Sequence, residues 1–234
     1  MYRLERDIEI LYKKFFKKNG INFRNGKLNG HDLKFATYPF IGSRYRTKKG
    51  VLFIGLDLGK DESRGILRFS EKRRVVEGMN DNLKKMNVHI AGTYITAIYF
   101  LRKKAWEGIR LAKSYKAAIK LFQMKNDPNM LSCVAFTNLF KYVTLKRFYR
   151  LGGENRRHIS KDREEELLLN EIKIFEPKLI VFQSRTFYDK KYKSLLGQVL
   201  LQNPRSLIFI APHPSYHGDR KPNSYLALFQ KFNT

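Results

Sequence analysis

Four short apolar runs, Val51–Leu56, Cys133–Thr137, Leu179–Gln183 and Leu207–Ile210, constrain this chain more than any other feature of it. Runs of this length and apolarity read as strands buried on both faces. Helical stretches intervene at roughly 94–123, 162–176 and 223–232, and strands alternating with helices give an α/β fold with a largely parallel sheet. Ahead of the first strand, Leu4, Ile8, Leu11 and Phe15 fall at helical spacing and Asn19-Gly20 supplies a stop, so residues 2–18 read as an amphipathic helix. Lys13, Lys14, Lys17 and Lys18 crowd its last turns, where the dipole favours cations. Residues 19–50 read as loop-rich, mixing aromatics with bases in Tyr38, Phe40, Arg44, Tyr45 and Arg46. There is no internal repeat or low-complexity segment, and Gly152-Gly153 reads as a loop inside the domain. The expectation is one domain over residues 1–234, with residues 1–40 forming a helix and a loop-rich arm.

Charge narrows the partner. The chain carries 47 Lys and Arg against 21 Asp and Glu, a net +26. Nucleic acid is the polyanion that best matches such a charge, with an anionic membrane surface second. The 43% hydrophobic and 14% aromatic content excludes a disordered basic tail, because those residues need a core. A lone cysteine, Cys133, excludes an intramolecular disulfide and any metal site built from several cysteines of one chain; it reads as a small buried hydrophobe. No apolar run reaches the ~20 residues of a membrane-spanning helix. The charged start, Met1 to Asp7, does not read as a signal peptide. These features predict a soluble protein of a reducing, cytoplasmic compartment, monomeric, with no membrane partner.

Parallel α/β sheets bind ligands at the carboxyl ends of their strands. Here the first run leads into Gly55-Leu56-Asp57-Leu58-Gly59-Lys60, the second ends in Thr137-Asn138, the third in Gln183-Ser184, and the fourth continues as Ala211-Pro212-His213-Pro214-Ser215. An acid, an amide and an imidazole therefore converge on one rim. An Asp or Asn after a strand is commonly only a cap. His213, held between two prolines that preset its backbone, is the residue hardest to explain as structure alone.

In these segments the sequence resembles the uracil-DNA glycosylase superfamily. Val51-Leu52-Phe53-Ile54-Gly55-Leu56-Asp57 is similar to the strand leading into that superfamily's water-activating motif. Phe136-Thr137-Asn138-Leu139-Phe140-Lys141 is similar to the strand that ends in its base-reading Asn. Pro177-Lys178-Leu179-Ile180-Val181-Phe182, followed by Pro212-His213-Pro214-Ser215, resembles its last two strands and its His-Pro-Ser motif. Order and spacing agree over roughly residues 50–230. The resemblance implies a three-layer α/β/α fold around a central, mainly parallel four-stranded sheet. It also implies a monofunctional DNA glycosylase that flips a base out of single- or double-stranded DNA and hydrolyses its N-glycosidic bond, the first step of base-excision repair.

The residue types suit that chemistry. An anion beneath the sugar stabilises the developing cation, a histidine stabilises the departing base, an amide pairs with a base edge, and an aromatic face stacks on it. The resemblance assigns Asp57 to the water or cation, His213 to the leaving base and Asn138 to base recognition. Gly55 and Leu56 lie beside the base. Gly65-Ile66-Leu67-Arg68-Phe69-Ser70 resembles the superfamily's stretch carrying the stacking aromatic, which makes Phe69 the stacker and core packing its alternative. Lys60, Ser215 and Tyr216 are expected at the DNA backbone. Gly152-Gly153-Glu154-Asn155-Arg156-Arg157-His158-Ile159 resembles the Arg-Arg-Ile-His loop of a branch that becomes covalently trapped, with His and Ile exchanged. Arg156, Arg157 and His158 are read as a phosphate-binding loop, with a covalent role for His158 as the alternative.

The sequence also departs from the pattern. Leu58-Gly59-Lys60 stands where Pro-Tyr-His would guard against thymine, Tyr216 stands where an apolar wedge would follow His-Pro-Ser, and the cysteines of the iron–sulfur branches are absent. Uracil is therefore the default base, and neither cofactor nor metal is expected. Two other classes fit parts of the sequence. Ile54-Gly55-Leu56-Asp57-Leu58-Gly59 also resembles the first strand of ribonuclease-H-like folds, whose Asp binds a divalent metal, and which need further carboxylates at later strand ends. A glycosylase-like fold kept as a catalytically silent DNA-binding subunit is the non-enzymatic alternative. Basic runs at Lys72-Arg73-Arg74, Arg102-Lys103-Lys104, Lys146-Arg147 and Lys190-Lys191-Tyr192-Lys193 suit contact with a phosphate backbone.

Overall fold

The computed structural model describes residues 2–29, 33–35, 38–56, 68–125, 129–144, 160–215 and 220–231. In chain order the elements are α1 (Tyr2–Asn19), β1 (Leu33–Phe35), β2 (Phe40–Ile41), β3 (Val51–Gly55), α2 (Phe69–Glu77), α3 (Val88–Leu101), α4 (Lys103–Ile109), α5 (Tyr115–Gln123), β4 (Val134–Asn138), β5 (Tyr142–Thr144), α6 (Lys161–Phe175), β6 (Leu179–Phe182), α7 (Lys193–Gln202), β7 (Leu207–Ile210) and α8 (Pro222–Lys231). Strands β2-β4-β3-β6-β7 form one sheet in that order, and β1 pairs with β5 in a separate two-stranded ribbon.

All four apolar runs are strands of the main sheet, and β4, β3, β6 and β7 are mutually parallel. The sheet has five strands rather than four, because Phe40–Ile41 pairs antiparallel with Phe136–Ala135 at the β4 edge. A two-residue strand carries too little pattern to stand out from the loops around it. Side chains alternate across the sheet as its pleat requires. Leu52, Ile54, Ala135, Ile180 and Phe182 enter a core shared with α1, α6 and α7. Val51, Phe53, Val134, Leu179 and Val181 enter a second core shared with α2, α3, α4, α5 and α8. The result is helix, sheet and helix in three layers.

The helix expected at 94–123 is three helices starting earlier. Asn87 caps α3 by accepting from the Ile90 N–H at 2.8 Å, the chain leaves helical geometry at Arg102, and Ser114 caps α5 by accepting from Ala117 N–H at 3.2 Å. Helices α2 and α7 fall in stretches to which the apolar periodicity assigns no element. Helix α6 ends at Glu176, in the left-handed region at φ 42°. Within the N-terminal segment, α1 buries Leu4, Ile8, Tyr12, Phe15 and Phe16 against the sheet and α6. Cys133 is half-buried and unpaired, just before β4.

Candidate functional site

The carboxyl ends of β4, β3, β6 and β7 line one rim of the sheet, a span of about three strand spacings, ~14 Å. At its centre Gly55 of β3 lies in register with Asn138 of β4. A Cβ at Gly55 would collide with Oδ1 of Asn138, so the missing side chain is what allows the Asn138 amide to lie across β3. Pairing continues past the formal strand ends: Leu139 N–H donates to Gly55 C=O and Phe140 N–H to Leu56 C=O, each at 2.9 Å. Leu56 is thereby held at the rim, half-buried on the same core as Phe69, Tyr38 and Phe140.

Beneath Asn138 lies a buried polar network. The Lys141 ammonium, 2% exposed, meets the fully buried Glu171 carboxylate of α6 at 2.9 Å. It also donates to Thr137 Oγ1 at 2.8 Å and to the backbone carbonyl of Asn138. Thr137 Oγ1 donates to Glu171 at 2.8 Å, and the Tyr12 hydroxyl of α1 donates to the other carboxylate oxygen. Three donors on one carboxylate meet the condition under which a buried ion pair is tolerated. Burial and then the Glu171 charge hold the Tyr12 phenol well above its ordinary range. The network clamps α1, α6 and the last turn of β4 to one another, and so fixes the backbone that carries Asn138.

The other end of the rim is built around His213. Ala211 N–H donates to Phe182 C=O at 2.7 Å, and the Tyr225 hydroxyl of α8 donates to Pro212 C=O at 3.1 Å. Pro214 packs on Gly92 of α3, where an added Cβ would lie 2.8 Å from the proline ring. His213 itself is exposed, and its Nδ1 accepts the Ser215 N–H at 3.2 Å. In a neutral ring that leaves the proton on Nε2. The His89 ring of α3 lies 4.9 Å from that of His213. Burial first, and then His213, lower the His89 pKa to about 4, so His89 is neutral near pH 7. Between the two ends, Gln183 after β6 donates to Thr93 Oγ1 at 2.8 Å, and Thr93 donates to His89 C=O at 3.0 Å. The floor of the rim is thus tied to α3.

The structure therefore brings Asn138 into direct contact with Gly55, holds Leu56 beside them through Phe140, and places His213 and Ser215 on the same rim, two strands beyond β3. Phe69 is half-buried at the first turn of α2, its ring 5.2 Å from that of Tyr38. Asp57, Lys60, Tyr216, Arg156, Arg157 and His158 lie outside the described residues. One basic run is not a backbone-facing surface: Lys72 turns inward to the Tyr38 carbonyl, Arg73 pairs with Glu5 of α1 with both side chains 16% exposed, and Arg74 alone of the three is exposed. Burial, then the charge of Lys141, lower the Lys72 pKa to about 7.

A sequence description of the uracil DNA glycosylase superfamily matches residues 43–234. The chain belongs to the uracil-DNA glycosylase superfamily. That membership gives it a glycosylase-type domain with DNA as its partner. No curated protein gives a significant match. Gly55, Asn138 and His213 all lie within the matched segment, whereas α1, β1 and β2 precede it. Among the described residues of this glycosylase-family chain, no three His, Cys, Asp or Glu side chains are grouped to hold a metal ion, and no helix is long and apolar enough to cross a membrane.

Sequence reasoning missed His89, Lys141 as a buried charge, Glu171 and Tyr12. His89 had a local signal, since Asn87 two residues earlier is a helix cap. The others meet only through the fold, across sequence separations of 30 to 159 residues.

Proposed function

We propose that the chain is a monofunctional DNA glycosylase that hydrolyses the N-glycosidic bond of a flipped uracil, or a closely related modified base, and leaves an abasic site. The observation that carries this reading is the Asn138 amide laid against Gly55, on the strand that runs directly to Asp57, with His213 on the same rim. In this reading the Asn138 amide offers a donor and an acceptor to the base edge. Phe69 stacks on the base, and the Gly55-Leu56 backbone borders it.

As the sugar–base bond breaks, its electron pair leaves with the base and positive charge develops at the sugar. Asp57 stabilises that charge, orients the water whose oxygen bonds to the anomeric carbon, and takes up the water's proton. His213 donates through Nε2 to the base oxygen on which negative charge develops, and the Ser215 N–H at Nδ1 favours the tautomer that can do so. Lys60, Ser215, Tyr216, Arg156, Arg157 and His158 contact the sugar-phosphate backbone.

The test is an excision assay in EDTA with labelled oligonucleotides carrying uracil, hypoxanthine, hydroxymethyluracil or a thymine mismatch, followed by alkaline cleavage. Cleavage at one modified base is expected. Asp57→Asn should abolish it without loss of DNA affinity, and His213→Ala should slow it by about 10²–10³-fold. Intact salt-sensitive binding with no excision of any of these bases would overturn the reading, and cleavage only on adding a divalent metal would replace it with a nuclease.

A further inference from the structure

The parallel strands place their amino ends on the edge of the sheet opposite the rim, and that edge carries a basic cavity of about 270 Å³. Arg44, Arg46, Lys49 and Arg102 line it around Gly50 and Cys133, the residues that lead into β3 and β4. No carboxylate is among the described residues lining it, and none of the four cations makes an ion pair with a described residue. The nearby acids are occupied: Glu77 accepts from the N–H and hydroxyl of Ser43 at 2.6 and 3.0 Å, and Glu176 faces Lys48 at 3.7 Å.

These cations stand on fixed backbone. Arg44 N–H donates to Ser132 C=O at 2.7 Å, and Lys48 N–H to Glu176 C=O at 2.6 Å. The ring of the buried Tyr45 packs under Gly50, and its hydroxyl donates to Phe175 C=O at 3.3 Å. The segment from Arg44 to Gly50 is therefore a braced turn that holds three cations at set positions. The fourth, Arg102, ends α3. Helix α3 begins at the rim, where His89 meets His213 and Gly92 meets Pro214, and its 14 residues span about 20 Å before reaching Arg102. Exposed Lys103, Lys104, Lys178 and Arg205, the last two just before β6 and β7, extend the charge along the same edge. A row of cations across several strand starts is matched by a polyanion better than by a point charge.

We propose that this edge is a second nucleic-acid backbone site, so that the protein holds one DNA segment at the rim and another segment about 20 Å away at the far end of α3. It rests on DNA being the partner and not on any role for Asp57, Asn138 or His213.

The test uses the full chain and a fluorescein-labelled single-stranded 12-mer without a modified base. Wild type should bind two oligonucleotides at saturation. Arg44→Glu, Arg46→Glu, Lys49→Glu and Arg102→Glu combined should bind one, with excision from a short uracil substrate unchanged. At about 0.7 per phosphate contact on single strands, the log–log salt slope of the lost event should be about −3. The four-fold Gln variant removes the same four phosphate contacts without reversing charge and should lose the same event, which keeps the test open if charge reversal prevents folding. An unchanged stoichiometry and slope in both variants would overturn the site, and so would displacement of the second oligonucleotide by equimolar inorganic phosphate, which would mark a small-anion pocket. Two-site binding without excision would support the site and reject the catalytic reading; excision with a single binding event would do the reverse.

Discussion

At the scale of single residues, Gly55 carries the sharpest constraint, and it does so through its neighbour. The Asn138 amide occupies the space a Cβ at Gly55 would need, in a register fixed by the β3–β4 ladder. Gly55→Ala must push the amide away from β3 while leaving the strand backbone in place. A displacement of about 1 Å at a reacting or reading group costs on the order of 10²-fold in rate. The expected result is a fall of that size in kcat/KM for base excision, with DNA affinity retained, because phosphate contacts dominate affinity. Single-turnover excision measured beside oligonucleotide binding checks it. An alanine variant that excises as well as wild type would remove Asn138 from base reading.

At the scale of elements, α6 is attached to the sheet by charge as well as by its apolar face. Removing Lys141 leaves the Glu171 carboxylate buried without its cation, so Lys141→Met should cost about 3–5 kcal/mol in urea unfolding. Adding Glu171→Gln, which keeps an acceptor for the Tyr12 and Thr137 hydroxyls but removes the charge, should restore most of that loss. A double variant no more stable than Lys141→Met would mean that packing, not charge, dominates the site. Two turns earlier on α6, the buried Glu164 carboxylate has no hydrogen-bond partner among the described residues, and burial raises its pKa to about 8, with Lys141 opposing. The folded state thus keeps a proton that the unfolded chain loses near pH 4.5. Stability is full below that value and drains away as pH rises through about 8. Glu164→Gln should flatten this slope between pH 5 and 8 and raise the urea midpoint most at the alkaline end; equal shifts at every pH would show that Glu164 does not titrate in that window. These features were not legible in the sequence for a physical reason. A doubly buried parallel strand announces itself as a continuous apolar run, which is why β3 and β6 could be read; β4 and β7 show the same apolar run, although β7 is an edge strand with Leu207 59% exposed. Phe40–Ile41 has too few residues to show a period, the nine residues of α2 centre on the run Lys72-Arg73-Arg74, and Lys141 with Glu171 reads as two surface charges until the fold brings them together. Of the site, the residues following strand ends were legible because topology gathers them; what holds them in place was not.

At the scale of the whole molecule, the segment that matches the superfamily and the unit that folds are different objects. The match begins at Ser43, yet the core on one face of the sheet is completed by Leu4, Ile8, Tyr12, Phe15 and Phe16 of α1. Burying a large apolar side chain is worth roughly 1.5–3 kcal/mol, so these five together contribute roughly 8–15 kcal/mol as an upper figure. That is comparable with the whole stability of an ordinary domain, about 5–15 kcal/mol. Helix α1 also supplies the Tyr12 donor to Glu171, the Glu5 partner of Arg73, and the Asn19 side chain that accepts from Arg163 at 2.7 Å. Its loss would unseat α6 and, through Glu171 and Lys141, the strand end that carries Asn138. A chain of residues 21–234 should accordingly fail to show a cooperative urea transition or excise any base, and a synthetic peptide of residues 1–20 supplied in trans should recover part of both. If the shortened chain instead unfolds at the same urea concentration as the full one, α1 is an appendage. The clamp through Tyr12 would then contribute nothing to the site, and the effect of Lys141→Met would have to arise from β4 and α6 alone.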